Sequence, residues 1–186
     1  MIHHVLPIEP FVPKEFHPSF FEIDFTQLYD QGFRHIITDL DNTLISYKEA
    51  HPTPAITAKF EELKAMGYDI VLLSNNHTDR IATFVSELDV IGYANARKPL
   101  LFGLKKALRA MPGATASNTL VIGDQLVTDV LGANRLGGYS ILVNPIERKT
   151  EKWYTRMNRR LERRMLDKIA RKAPERFAAL GLKERS

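Results

Sequence analysis

Four short apolar runs punctuate the middle of the chain: Ile36-Ile37, Ile70-Val71-Leu72-Leu73, Leu120-Val121-Ile122 and Ile141-Leu142-Val143, with a weaker one at Val90-Ile91. Runs this short and this rich in β-branched residues predict strands buried on both faces. Between them lie helix-like stretches over 54–66, 78–88, 99–111 and 128–136. Strands alternating with helices of about ten residues predict an α/β fold with a doubly wound parallel sheet. Ahead of this body, Pro7, Pro10, Pro13 and Pro18 stand among aromatics, which predicts an extended arm and not a helix. Asp24 can cap a short helix running through Tyr29 and ending at Gly32. Behind the body, Trp153, Met157, Leu161, Met165 and Ile169 recur every fourth residue, with Arg156, Arg159, Arg160, Arg163, Arg164 and Lys168 between them. That pattern predicts a basic amphipathic helix whose apolar stripe packs on the body. The expected division is an arm with a short helix over 1–32, an α/β core over 33–147 and a basic helical tail over 148–186.

Composition narrows the class. Of 186 residues, 44% are hydrophobic and 26% charged, as in a globular domain and unlike a disordered chain. No apolar run approaches the roughly 18 residues of a membrane span. The opening Met1-Ile2-His3-His4 lacks the features of a secretory signal, so the expected location is cytoplasmic. The absence of cysteine removes disulfides, thiolate metal sites and cysteine nucleophiles. Charge is unevenly spread: residues 148–186 hold 14 Lys/Arg against 5 Asp/Glu, while the preceding 147 hold 12 against 17. A tail at +9 on a body at −5 suggests contact with an anionic surface, a membrane or nucleic acid.

Three of the strands end in polar residues suited to phosphate chemistry. The first runs into Asp39-Leu40-Asp41-Asn42-Thr43, the second into Ser74-Asn75-Asn76, the third into Gly123-Asp124-Gln125-Leu126-Val127-Thr128-Asp129. Ligands of an open parallel sheet bind outside the carboxyl ends of its strands, so these endings should converge. Asp39 and Asp41, two positions apart on an extended segment, point the same way, which suits a nucleophile paired with an acid/base; a solvated Asx turn is the plainer alternative. Four acids in one crevice would repel one another without a cation, and oxygen ligands favour Mg²⁺ over Zn²⁺. Thr128 or Asp129 could equally cap the next helix. Lys98, next to Pro99 at a helix start, needs an anion to offset the helix dipole, unless it is a plain loop lysine. Ser74 with the following backbone N–H groups could hold phosphate oxygens or serve only as a cap.

Taken in order, Asp39-Leu40-Asp41-Asn42-Thr43, Ser74, Lys98 and Gly123-Asp124-x₄-Asp129 resemble the four motifs of the haloacid dehalogenase superfamily of phosphatases. The resemblance spans roughly 33–147. More closely, the stretch from Asp39 to Leu44, Leu73-Ser74-Asn75-Asn76, Lys98-Pro99 and the basic extension look most like the YqeG-type phosphatases of subclass IIIA, which are similar to mitochondrial phosphatidylglycerophosphate phosphatases. The resemblance implies Asp39 as nucleophile, Asp41 as general acid and base, Ser74 and Asn75 on phosphate oxygens, and Lys98 bridging Asp39 and phosphate. It also implies Mg²⁺ held by Asp39, the Asp41 carbonyl and Asp124, with Asp129 supporting through water or an outer contact. The intervals 44–74 and 74–98 leave no room for a large cap domain, so an open crevice is expected. An open crevice suits a lipid phosphate such as phosphatidylglycerophosphate, reached at the inner face of the membrane with peripheral help from the tail. A soluble phosphoester is the alternative within the same chemistry. A non-catalytic RNA-binding scaffold on this fold is the alternative outside it, disfavoured because Asp39, Asp41, Asp124 and Asp129 are all present. A response-regulator receiver is disfavoured because Lys98 precedes Gly123-Asp124. The histidines show no ligand spacing, and oligomeric state is not legible.

Overall fold

A computed structural model describes residues 7–185, so the His3-His4 pair lies outside the described residues. Six strands form one fully parallel sheet: β1 (Glu15–His17), β2 (His35–Thr38), β3 (Asp69–Leu73), β4 (Ile91–Tyr93), β5 (Thr119–Gly123) and β6 (Tyr139–Val143), in the order β1-β6-β5-β2-β3-β4. The chain leaves β2 towards β3 and β4, then returns to β5 and β6 on the other side. The strand order therefore reverses between β2 and β5, where Ile37 is paired with Val121.

Alternation along each strand sorts the apolar runs onto two faces. Ile36, Leu72, Leu120 and Ile122 join Leu40, Phe60 and Phe84 in one core. Ile37, Val71, Leu73 and Val121 join Leu104, Ala107 and Ala133 in the other. Helices α2 (Pro54–Met66) and α3 (Thr78–Leu88) occupy the residues their sequence signals predict. Pro54 opens α2, Thr53 accepts a hydrogen bond from the Ile56 amide, and Gly67 closes it at φ 100°, which only glycine adopts freely. The short helix α1 (Phe25–Asp30) is capped by Asp24, which accepts from the Gln27 amide.

Elsewhere the local signals fall short. The arm is extended only in part: 3-10 turns at Glu9–Phe11 and Phe20–Glu22 interrupt it, and Glu15–His17 between them pairs with β6, adding an edge strand. Helix α4 (Leu101–Ala110) starts two residues after the expected Pro99, which follows a cis peptide bond. Lys98 is therefore not at a helix N-terminus. The 128–136 helix is split into a wide π-type turn, Leu126–Val130, and α5 (Leu131–Leu136).

The tail forms α6 (Trp153–Lys172), α7 (Pro174–Ala179) and a 3-10 turn, Leu182–Arg185, all packed against the body. The expected stripe does not hold along its length: Met165 and Ile169 are 2% and 0% exposed, whereas Trp153 and Met157 are 73% and 57% exposed. At about 3.6 residues per turn, a four-residue repeat drifts by about 40° per step, so Trp153 and Ile169 lie about 160° apart. Among the described residues no helix is long and apolar enough to cross a membrane.

Candidate active site

The loops after β2, β3 and β5 meet at the switch point. Asp39 extends the sheet by one residue, its amide donating to the Ile122 carbonyl at 2.9 Å, which fixes the carboxylate beside the end of β5. Asn42 adopts the left-handed region at φ 62° and turns the chain back, so that Thr43 Oγ1 donates to Asp39 Oδ2 at 3.4 Å.

Lys98 Nζ lies 2.7 Å from Asp39 Oδ1 and 2.7 Å from Asp129 Oδ1, with all three side chains buried. The lysine is set by its backbone: Asn75 accepts from the Lys98 amide at 2.8 Å and donates to its carbonyl at 3.2 Å. Burial works against the charge on Lys98, but Asp129 and Asp39 outweigh it and raise its pKa, keeping the ammonium. Burial raises Asp39 well above the usual carboxylate range; Lys98 opposes this, and Asp129, Asp124 and Asp41 reinforce it. Asp129 needs the glycine before Asp124: a Cβ on Gly123 would sit 2.1 Å from Asp129 Cγ.

Asp41 belongs to a different set of contacts. Its Oδ1 accepts from Arg80 Nε, and its Oδ2 from Asn76 Nδ2 at 2.5 Å and Ser74 Oγ at 3.5 Å. Arg80 also donates to the Glu49 and Ser46 carbonyls, so one guanidinium ties α3 to the loop bearing both acids. Sequence reasoning missed Arg80, since nothing local separates it from a solvated helix arginine. It also missed Arg159 and Arg185, whose hydrogen bonds hold Asp124.

One carboxylate oxygen from each of Asp39, Asp124 and Asp129 lies within 4.8 Å of the other two. Asp124 Oδ1 is buried without a hydrogen-bond partner, an arrangement costly enough to call for a cation. Hard oxygen donors in a group fit a divalent metal ion. Burial pushes Asp124 up to about 6; Arg159 opposes this, Asp129 adds to it and Arg185 opposes it. The folded state thus holds that proton more tightly than the unfolded chain, and Asp39 acts in the same direction. The stabilising contribution of Asp124 is full below the ordinary value of 3.8 and is lost as pH rises through about 6. The gain in thermal midpoint from Mg²⁺ over EDTA should therefore be larger at pH 7.5 than at pH 5, where protons compete for the same oxygens. Calorimetry at the two pH values checks this; equal gains would contradict it.

The crevice above these residues is narrow, with a free volume of about 50 Å³, a few water molecules' worth. No cap is inserted in the core, as expected from the spacing, but the crevice is less open than the missing cap implies. The first turns of α6 supply one wall through Tyr154, Thr155 and Asn158, facing Tyr47, Ser74, Asn75 and Lys98. Tyr47 hydrogen-bonds Thr155, and burial with the nearby Asp41 and Asp39 raises its phenol, which stays neutral.

A doubly wound sheet carrying buried acids and a lysine at its switch point suits phosphoryl chemistry. A family model described as a haloacid dehalogenase-like hydrolase matches residues 14–137, and the chain belongs to that family; it is a phosphatase of that class. Probable phosphatase YqeG of Bacillus subtilis (strain 168) is 40% identical over 162 residues, 87% of this chain and 93% of that protein. Phosphatidylglycerophosphate phosphatase 1, chloroplastic/mitochondrial, of Arabidopsis thaliana is 30% identical over 158 residues, 81% of this chain but 45% of its own length. An uncharacterized protein from Listeria monocytogenes serotype 4b shares the fold, with a TM-score of 0.50 at 20% identity over 62% of this chain and 84% of its own. The resemblance to YqeG-type phosphatases read from the motifs thus extends over most of the chain.

Proposed function

We propose that the chain hydrolyses a lipid phosphomonoester, phosphatidylglycerophosphate, through a covalent intermediate on Asp39. The observation that carries the chemistry is Lys98 set between Asp39 and Asp129, next to an Asp124 oxygen with no protein partner. Asp39 attacks phosphorus, the bond to the leaving alcohol breaks, and the Asp41 carboxyl gives that alcohol its proton. Water then attacks the aspartyl-phosphate, Asp41 takes its proton, and inorganic phosphate leaves with Asp39 restored. Lys98 offsets the repulsion between carboxylate and phosphate, while Ser74 and Asn75 orient the phosphoryl oxygens. Mg²⁺, held by Asp39, the Asp41 carbonyl, Asp124 and Asp129, would neutralise charge on those oxygens.

Several features support a lipid. The crevice has room for a phosphate group and little more, so the rest of a large substrate would remain outside. The start of α6, whose Tyr154, Thr155 and Asn158 line the crevice, exposes Trp153 and Met157 with Arg156 and Arg160. An aromatic and basic surface of this kind suits the headgroup region of an anionic bilayer, at about 1 kcal/mol per nearby cation. The Arabidopsis relative's name points the same way. The test compares turnover of phosphatidylglycerophosphate in anionic vesicles with a panel of soluble phosphoesters. Preference for the lipid by at least tenfold in kcat/KM is expected. Brisk turnover of a soluble ester with none of the lipid would overturn the substrate and leave the chemistry standing.

A further inference from the structure

Asp124 is 0% exposed at the end of β5, and the groups that hold it come from the far end of the chain. Arg159 of α6 donates from Nη2 to Asp124 Oδ2 and from Nη1, at 2.6 Å, to the Asp124 carbonyl. Arg185, in the final 3-10 turn, donates to the same carbonyl and to that of Val143. Two buried glutamates aim these guanidiniums. Glu151 accepts from Arg159 Nε at 2.9 Å, and Glu162 accepts from Arg159 Nη1 at 3.0 Å and from Arg185 Nε at 2.7 Å. Asn42, in the turn after Asp41, donates to Glu151 Oε1 at 3.3 Å, joining the layer to the nucleophile loop.

The charges of this layer cancel. Arg159 and Arg185 balance Glu151 and Glu162, so Asp124 gains fixed partners without a net positive charge set against a cation. What the layer supplies is orientation. A carboxylate free to turn could chelate, swing away or pair elsewhere, whereas a planar guanidinium on one oxygen and on the residue's own carbonyl fixes its plane. With Oδ2 engaged, Oδ1 is the oxygen left without a partner, on a carboxylate that contributes an oxygen to the group formed with Asp39 and Asp129.

We propose that Arg159 is a positioning residue for the cation site: it engages Oδ2 of Asp124 and presents Oδ1, so that the C-terminal segment sets the affinity for the divalent ion. This rests on reading Asp39, Asp124 and Asp129 as that site. The 148–186 segment is on this account a working part of the phosphatase, not an appendage. Groups that orient metal ligands typically account for about 10–100-fold in metal affinity.

The test titrates the full chain with Mn²⁺ and Mg²⁺ by calorimetry, without substrate. Arg159→Lys keeps the charge and loses the fork; it should weaken binding about 10–100-fold. Glu151→Gln, which loosens Arg159 from outside the acid group, should weaken it in the same direction and keeps the test decisive if Arg159→Lys fails to fold. Arg171→Lys, exposed near the end of the same helix, should leave cation binding unchanged. In an Asp124→Asn background the Arg159→Lys exchange should cost less than about twofold, since its effect runs through Asp124. Unchanged or tighter binding in Arg159→Lys, or in Glu151→Gln where Arg159→Lys does not fold, would overturn the proposal, and so would an undiminished effect in the Asp124→Asn background. No binding by the wild-type chain would instead overturn the cation site itself.

Discussion

Replacing Asp39 with Asn is expected to lower phosphomonoester turnover by about four to six orders of magnitude, the usual scale for loss of a covalent nucleophile. The substitution keeps the shape of the side chain, and Lys98 retains Asp129 at 2.7 Å. Fold and thermal midpoint should therefore survive. Ionised Asp39 is crowded by Asp129, Asp124 and Asp41, so the metal-free variant should be no less stable than wild type at neutral pH. Single-turnover kinetics and acid quenching of labelled enzyme would read the loss directly. The quenched variant should carry no phosphate, whereas the wild type should carry an acid-stable, alkali-labile adduct. Turnover within tenfold of wild type would exclude Asp39 as nucleophile.

Asp41→Asn should separate substrates by their leaving groups. An alkoxide needs a proton as the bond to phosphorus breaks, so alkyl phosphates should lose about 10²–10⁴-fold in kcat/KM. A nitrophenolate leaves unaided, so aryl phosphates should still transfer their phosphoryl group. Hydrolysis of the resulting adduct would then stall for want of a base, and a burst of nitrophenol near one equivalent should precede a slow steady state. The side chain sits in a fixed cradle of Arg80, Asn76 and Ser74, which an amide can occupy only in part. Its loss therefore removes both proton transfer and a counter-charge for Arg80. A plot of rate against leaving-group pKa should steepen relative to wild type. Parallel lines would argue that Asp41 only holds Arg80 in place.

The parts of the molecule legible in its sequence are those fixed by near neighbours. Pro54 with Thr53 marks the start of α2, and the paired apolar runs mark the central strands, because these signals act within a turn or a strand. The gathering of Asp39, Ser74, Lys98, Asp124 and Asp129 was also legible, because a parallel sheet presents all its carboxyl ends on one side. What escaped depends on distant partners. Arg80 and Asp41 are 39 positions apart, and Arg159 and Asp124 are 35. In sequence both arginines look like the polar face of an amphipathic helix. The four-residue stripe is misleading because a repeat of four winds around α6 and does not follow a straight face. Pro99 misled because its place at a helix start is only a preference, and here Leu100 after it is still extended.

The final turn of the chain also bears on the order in which the molecule is made. Asp124 emerges 61 positions ahead of Arg185, which holds its carbonyl. At about 5–20 residues per second of synthesis, roughly 3–12 s separate the two. During that interval the sheet, whose last strand ends at Val143, can assemble while one of its central acids still lacks its anchor. A growing chain would thus acquire its scaffold first and its working site last. Ribosome-bound intermediates stalled once β6 has cleared the exit tunnel, with the tail still inside it, should look folded to a protease yet remain inert towards phosphoesters.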